Sequence, residues 1–145
     1  MKSKEQIAIY WDASAILSII FQDTNSRFAL KWAESGAVHF VSTLAYAEVC
    51  AVLARMNKLK VLSDVLISAG YDLLNRGPWR RTSVNPEWST LQVTSELRSL
   101  RGADLWHLAT ALKLRSDFPE LVLLTFDKKL DKAAKQENFK LLNKV

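Results

Sequence analysis

Four acidic residues of this chain lie where a solvated surface carboxylate is not the natural expectation. Asp12 directly follows the apolar run at residues 7–11, and Asp127 closes the segment LLTFD after a second apolar run. Asp104 opens a helical pattern after an Arg-Gly pair, and Glu48 lies inside another helical pattern. Carboxylates held close together raise one another's pKa, so a cluster of them stays ionised only where cations neutralise it.

The chemistry expected of four clustered carboxylates is metal-dependent hydrolysis of a phosphodiester. Mg²⁺ and Mn²⁺ prefer oxygen ligands, keep several waters, and bind through few carboxylates together with substrate phosphate. One ion lowers the pKa of a water that attacks phosphorus, and a second stabilises the leaving oxygen. We therefore take Asp12, Glu48, Asp104 and Asp127 both as candidate catalytic residues and as candidate metal ligands.

Each of these acids also has a structural explanation. Aspartate is strongly preferred at helix N-caps, which alone could account for Asp12, Asp104 or Asp127 taken singly. Glu48 differs, because its neighbours three and four residues away are apolar and the face they form is meant for the core. A charge on that face needs either a metal or a structural ion pair, and the sequence leaves both open.

Short strands alternate with helices along the chain. Apolar runs predict strands at residues 7–11, 38–41, 81–84, 121–124 and 139–142. Helical patterns occupy residues 13–21, 26–34, 44–56, 59–74, 85–97, 104–116 and 128–136, with Thr43 as the candidate cap of the third. This alternation predicts an α/β protein with a parallel sheet of four to five short strands, helices on both faces, and a site at the carboxyl ends of the strands.

Length and composition limit the class of protein. The chain has 145 residues, which fits one domain over residues 1–145, and its 49% hydrophobic and 24% charged residues exclude a disordered or fibrous chain. The single cysteine, Cys50, excludes an internal disulfide and a cysteine metal cluster. The apolar runs are too short to span a bilayer and no signal-peptide pattern is seen, so we expect a cytoplasmic protein. The net charge of +5 favours a polyanionic partner.

The four acids and their flanking residues resemble the PIN-domain family, and within it the VapC-type toxin ribonucleases of toxin–antitoxin pairs. The resemblance covers essentially the whole chain. It is carried by four motifs in order: YWDASAIL around Asp12, AEV around Glu48, RGADLWHLATA around Asp104, and LTFDKKL around Asp127. The third and fourth motifs are the most specific.

The resemblance implies a three-layer α/β/α sandwich and a Mg²⁺- or Mn²⁺-dependent endoribonuclease that a cognate antitoxin inhibits. It also implies a homodimer paired through helices. Ser14 and Thr125 would be hydroxyls that orient carboxylates or water at the metal, although capping of adjacent helices is an equal alternative. His107 lies one turn after Asp104, where a packed or hydrogen-bonded histidine is a simpler interpretation than a ligand.

Basic residues near the predicted site are candidates for contact with RNA phosphates. They are Arg80 and Arg81 beside Trp79, Arg98 and Arg101 before the third acid, and Lys128, Lys129 and Lys132 after the fourth. A solvated helix face is the alternative for each group. The helical pair at residues 44–74 has more apolar residues than one face needs, and some of Leu59, Val61, Leu62, Val65, Leu66 and Leu73 are expected either in the core or against another chain.

Three other functions compete with a toxin. A PIN nuclease could mature RNA in a housekeeping role, and sequence alone does not separate that role from a toxin's. A non-catalytic module could keep the fold and bind RNA or protein, although its signature would be a broken acidic set. A metal-dependent phosphatase or receiver-like phosphoacceptor also has aspartates at strand ends, but it does not explain Glu48.

Overall fold

The buried apolar runs of the sequence form one parallel sheet in the computed structural model, which describes residues 6–142. The described residues contain four strands: β1 at Ala8–Trp11, β2 at Val38–Ser42, β3 at Trp79–Thr82 and β4 at Val122–Leu124. The strand order is β3-β2-β1-β4, and every neighbouring pair is parallel. The carboxyl ends of β1 and β4 therefore lie side by side, each followed by one of the acids.

Helices connect the strands. In the described part of the chain they are α1 at Ala13–Ile20, α2 at Ser26–Ala33, α3 at Thr43–Lys58, α4 at Asp64–Arg76, α5 at Trp88–Leu97, α6 at Gly102–Arg115 and α7 at Lys128–Gln136. Parallel neighbours require such crossovers, because a tight turn cannot join them. No helix within residues 6–142 has the length and apolar character needed to cross a membrane.

Side chains of β1 alternate between two hydrophobic cores, one on each face of the sheet. Ile9 and Trp11 belong to the core that α1, α3 and α4 cover, whereas Tyr10 belongs to the core that α6 and α7 cover. A strand buried on both faces reads as a continuous apolar run, which is how residues 7–11 read. The predicted three-layer α/β/α sandwich with a central parallel sheet is confirmed, with four strands.

The strand predicted at residues 139–142 is wrong. That segment is buried through a side chain instead, since Phe139 is 4% exposed and packs in the core beneath α6 and α7. The guanidinium of Arg115 lies 4.3 Å from the centre of the Phe139 ring and donates to the carbonyl of Glu137. Asn138 adopts a φ of 61°, so the chain turns after α7 through a left-handed residue, a conformation that asparagine tolerates. An apolar run can be buried without pairing, and periodicity does not distinguish the two cases.

Several predicted boundaries were also wrong by a few residues. Ser42, not Thr43, caps α3, because its hydroxyl accepts the backbone N–H of Ala45. The helix expected at residues 59–74 begins only at Asp64, where the Ser63 hydroxyl accepts the N–H of Leu66. The strand expected at residues 81–84 lies at Trp79–Thr82, and the helix expected from residue 85 begins at Trp88. Local capping groups therefore set the helix starts more sharply than the apolar pattern did.

Gly77 joins α4 to β3 at a point where no side chain fits. A Cβ there would lie 2.4 Å from a ring carbon of Trp79 and 2.5 Å from the carbonyl oxygen of Leu73. We expect Gly77→Ala to lower the free energy of unfolding in urea by about 1–3 kcal/mol, the typical cost of overpacking. Gly36→Ala, where a Cβ would meet nothing within 4 Å, is the control and should change it by less than about 0.5 kcal/mol. Equal effects would contradict this packing argument.

Candidate functional site

Asp12 lies at the junction of β1 and α1 and is almost fully buried, with 4% exposure. Its Oδ1 caps α1 by accepting the N–H of Ala15 at 3.0 Å, and it also accepts the hydroxyl of Ser14 at 2.7 Å. Its Oδ2 accepts the hydroxyl of Thr125 at 2.5 Å. Burial raises the pKa of Asp12, while these three hydrogen bonds and the nearby His107 lower it. The capping expected from sequence is present, and it occupies one of the two oxygens.

Two hydroxyls join the carboxyl ends of β1 and β4. Ser14 accepts the N–H of Phe126 at 3.0 Å and lies 3.3 Å from the hydroxyl of Thr125. Thr125 in turn accepts the N–H of Asp127 at 3.0 Å. Asp127 then caps α7, because its Oδ1 accepts the N–H of Leu130 at 2.9 Å. Asp12 and Asp127 are therefore held in one hydrogen-bonded network, and Ser14 and Thr125 fix the orientation of the Asp12 carboxylate.

Glu48 extends from α3 toward α6. Its Oε1 lies 2.6 Å from Nε2 of His107, and its side chain is 35% exposed while that of His107 is 2% exposed. Glu48 is thus not a fully buried charge: one oxygen meets a buried histidine, and the rest reaches the surface. The hydrogen-bonded state expected for His107 is confirmed. Of the two explanations left open for Glu48, an ion pair or a metal, this contact supports a pairing without excluding a metal at the other oxygen.

Asp104 lies in the first turn of α6 but does not cap it. The N-cap position belongs to Arg101, so the capping explanation for Asp104 is wrong. Burial raises the pKa of Asp104, and the negative charges of Asp127 and Glu48 raise it further, against the lowering effects of His107 and Arg101. Because the charges of Asp127 and Glu48 act on Asp104, the three carboxylates lie in one region of the structure.

The donor set is compatible with a hydrated cation rather than with a tightly liganded one. Within residues 6–142 no three acidic, histidine or cysteine side chains lie close enough together to form a ready-made metal site. Mg²⁺ usually keeps several waters and is held by one or two carboxylates directly, so a looser ring of acids suits it. Mutual raising of the Asp104 pKa by other carboxylates is the electrostatic condition that a cation relieves.

The raised pKa of Asp104 predicts a pH dependence of stability in metal-free buffer. The folded state binds its proton more tightly than the unfolded chain does, so this contribution to stability is lost as the pH rises above the ordinary aspartate value. We expect Asp104→Asn to gain stability relative to wild type as the pH rises above the ordinary aspartate pKa, as measured by urea unfolding with a chelator present. Asp117→Asn, on the loop after α6, is the control for loss of a negative charge. An Asp104→Asn difference that stays flat with pH would contradict the electrostatic account.

The predicted RNA contacts are placed differently from one another. Arg98 is tied to Glu137, with Nη2 3.1 Å from Oε1. Arg81 donates to Asn75 and lies over the ring of Tyr46. The other predicted residues, which are exposed, are Arg80 on β3, Arg101 beside Asp104, and Lys128, Lys129 and Lys132 on α7. The exposed basic group next to the acids thus consists of Arg101 and the lysines of α7. The sequence alone could not show that these residues are exposed whereas Arg98 is paired with Glu137.

The excess apolar residues of the helical pair at residues 44–74, which were expected either in the core or against another chain, fall into two groups. Leu62 and Leu73 pack against the core beneath α3 and α4. Leu59, Val61, Val65 and Leu66 remain exposed, each by more than half of its surface. The exposed group lies at the turn between α3 and α4 and in the first turn of α4, where it forms an uncovered apolar surface.

Sequence reasoning missed two buried polar residues near the acids, Tyr10 and Ser42. Tyr10 is completely buried, and its hydroxyl donates to Ser42 at 2.9 Å and lies 2.5 Å from Nδ1 of His107. Burial raises the pKa of Tyr10, with smaller contributions from the charges of Asp12 and Glu48. A phenol within a strand buried on both faces needs a hydrogen-bond partner, and that requirement was the signal that could have identified it.

Comparisons with known proteins agree with this architecture. The family model for the PIN domain matches residues 9–136. The fold is similar to the crystal structure of VapC20 from Mycobacterium tuberculosis, a toxin that cleaves the sarcin–ricin loop, with a TM-score of 0.57 and 16% identity over 86% of this chain and 94% of that one. No curated protein sequence matches. Since the family model spans most of the chain, from β1 to the end of α7, the chain belongs to the PIN domain family.

Proposed function

We propose that this chain is a Mg²⁺- or Mn²⁺-dependent endoribonuclease and that it is the toxin of a VapC-type toxin–antitoxin pair. The observation that carries the proposal is the buried Asp12 carboxylate, held by Ser14 and Thr125 at the adjoining ends of β1 and β4. Asp104 is electrostatically linked to Asp127 and Glu48 in the same region. Such an arrangement makes sense for a group whose orientation toward a cation and a phosphate matters.

The four acids have distinct places in this proposal. Asp12, Glu48, Asp104 and Asp127 would hold the cation, directly or through waters. When bound, the cation supplies a water nucleophile at neutral pH and neutralises charge that develops on the phosphate. The chain itself holds the Asp12 carboxylate in one orientation through Ala15, Ser14 and Thr125 and shields it from bulk water, because Asp12 is 4% exposed.

Ser14 and Thr125 act in this proposal as orienting hydroxyls. Each donates to a different oxygen of Asp12, so the carboxylate plane is fixed from two sides. Thr125 also accepts the N–H of Asp127, which couples the position of one acid to that of the other. Their role is support of Asp12 rather than contact with RNA.

Substrate contacts and partners follow from the exposed surfaces. Arg101, Lys128 and Lys129 lie beside the acids and would neutralise RNA phosphates, with Arg80 and Arg81 on β3 as more distant contacts. Arg98 would contribute only if it left Glu137. A homodimer, an inhibiting antitoxin and a cytoplasmic location complete the proposal, with residues 1–145 as one nuclease domain.

Induction in a bacterial host tests the toxin function directly. We expect growth to arrest after induction of the wild-type chain, with new cleavage ends in RNA mapped by sequencing of 5′ ends. A synthetic sarcin–ricin loop hairpin is a reasonable first substrate in vitro, given the activity of VapC20. Cleavage in vitro without growth arrest would favour a PIN nuclease of RNA maturation, and no cleavage of any RNA would favour a non-catalytic module. An upstream gene for a small DNA-binding protein that relieves the arrest would identify the antitoxin.

A further inference from the structure

A buried row of polar groups runs from the sheet to Glu48. Ser42 at the end of β2, Tyr10 in the middle of β1 and His107 on α6 are each no more than 1% exposed. The Tyr10 hydroxyl donates to Ser42 at 2.9 Å and lies 2.5 Å from Nδ1 of His107, while Nε2 of His107 lies 2.6 Å from Oε1 of Glu48. The row crosses from an inner strand to the protein surface through hydrogen bonds alone.

The row holds both ring nitrogens of His107. The Tyr10 hydroxyl donates to Ser42 and its oxygen lies against Nδ1 of His107, while Nε2 faces Oε1 of Glu48. Ser42 has a second contact, because its hydroxyl oxygen also accepts the N–H of Ala45 as the cap of α3. The ring therefore has one orientation, in which Nε2 is directed at Glu48.

Glu48 needs such a partner because its own side chain is long and 35% exposed. A surface glutamate loses rotamer entropy when it binds a cation in one geometry. Because the buried His107 ring already holds Glu48, less of that entropy remains to be lost when the cation binds. The contact uses Oε1, and within residues 6–142 Oε2 has no hydrogen-bond partner. One oxygen is thus anchored, and the other is available to a cation.

We propose that His107, held by Tyr10 and Ser42, is a positioning residue that presets the Glu48 carboxylate for metal binding. This inference rests on the proposed metal-dependent function and adds three residues to it. Outer partners of metal ligands commonly change metal affinity by about 10–100-fold when removed. The structure gives Glu48 such a partner and gives that partner its own buried support.

The test measures Mn²⁺ affinity without reference to cleavage, by the electron paramagnetic resonance signal of free Mn²⁺ during titration of the whole protein. Tyr10→Phe removes one oxygen and keeps the ring, whereas His107→Leu removes both hydrogen bonds with a residue of similar volume. We expect the Mn²⁺ dissociation constant to rise about 10–100-fold in His107→Leu and by a smaller factor in Tyr10→Phe. Tyr71→Phe is the control, since its hydroxyl donates to the Cys50 carbonyl at 3.5 Å and has no hydrogen bond to His107 or Glu48 among residues 6–142, and it should match wild type.

The double variant shows whether Tyr10 acts through His107. If it does, adding Tyr10→Phe to His107→Leu leaves the Mn²⁺ affinity where His107→Leu alone puts it, whereas independent effects would multiply. Thermal unfolding distinguishes a folding defect from a loss of metal affinity. A folding defect would lower the melting temperature without changing the Mn²⁺ affinity of each folded molecule. Suppose that the wild-type chain binds Mn²⁺ and cleaves RNA, and that Tyr10→Phe and His107→Leu bind Mn²⁺ as tightly as Tyr71→Phe does. That result would overturn this inference and leave the proposed function standing. Absence of Mn²⁺ binding by the wild-type chain would overturn the proposed function and this inference with it.

Discussion

Asp12→Asn is expected to abolish RNA cleavage while the protein stays folded. The substitution removes the charge of the most buried of the four acids, and we expect a fall of at least about 1000-fold in the cleavage rate, which corresponds to about 4 kcal/mol of transition-state stabilisation. The cap of α1 survives, because the amide oxygen can still accept the N–H of Ala15 and the hydroxyl of Ser14. Burial raises the pKa of Asp12, so a neutral side chain suits this environment. Single-turnover cleavage of a labelled RNA measures the rate.

A second aspartate gives a matched control for this variant. Asp23, in the loop between α1 and α2, also accepts a serine hydroxyl, that of Ser18, and a backbone N–H, that of Asn25, but it is exposed and has no hydrogen bond to Thr125 or Asp127. Asp23→Asn should cleave RNA at the wild-type rate. Retained cleavage by Asp12→Asn, with a wild-type melting temperature, would remove Asp12 from the catalytic residues.

Removal of divalent metal should have an effect of the same size. Treatment with a chelator is expected to reduce RNA cleavage to the background of the assay, and excess Mn²⁺ or Mg²⁺ should restore it. The negative charges of Asp127 and Glu48 raise the pKa of Asp104, and a bound cation would relieve that repulsion. Cleavage that continues in the chelator would contradict the metal-dependent mechanism.

Metal binding should also stabilise the folded protein. A cation that binds only the folded state adds about 2.7 kcal/mol when its concentration is 100 times its dissociation constant. We expect Mn²⁺ to raise the melting temperature of wild type and to raise that of Asp12→Asn much less. This measurement needs no RNA, so it tests the metal site even if the RNA target is unknown.

The layered architecture could be predicted because β1 and β4 are buried on both faces and read as apolar runs. Residues 7–11 and 121–124 predicted β1 and β4 within one residue. The run at residues 139–142 misled because Phe139 buries its ring without joining the sheet. Burial and backbone pairing have the same apolar signature over four residues, so only the coordinates separate them.

The candidate site was predictable in its acids and not in its support. Asp12 follows β1 directly and Asp127 lies three residues after the end of β4, and parallel topology brings these strand ends together. The partner of Glu48 was harder to predict, because His107 lies 59 residues away and reaches Glu48 only after α3 and α6 pack. Tyr10 was hidden for a similar reason, since its contact with His107 spans 97 residues. Long-range hydrogen bonds of this kind leave no local pattern.

The hydroxyl of Thr125 bonds to a carboxylate that lies 113 residues earlier in the chain. A ribosome that synthesises this protein from its amino terminus therefore releases Asp12 long before the segment that orients it has been translated. Premature termination before residue 125 yields a fragment without the Thr125 hydroxyl that binds Oδ2 of Asp12. The hydrogen bonds around Asp12 are therefore complete only after nearly full-length synthesis, when the β4 segment docks beside β1.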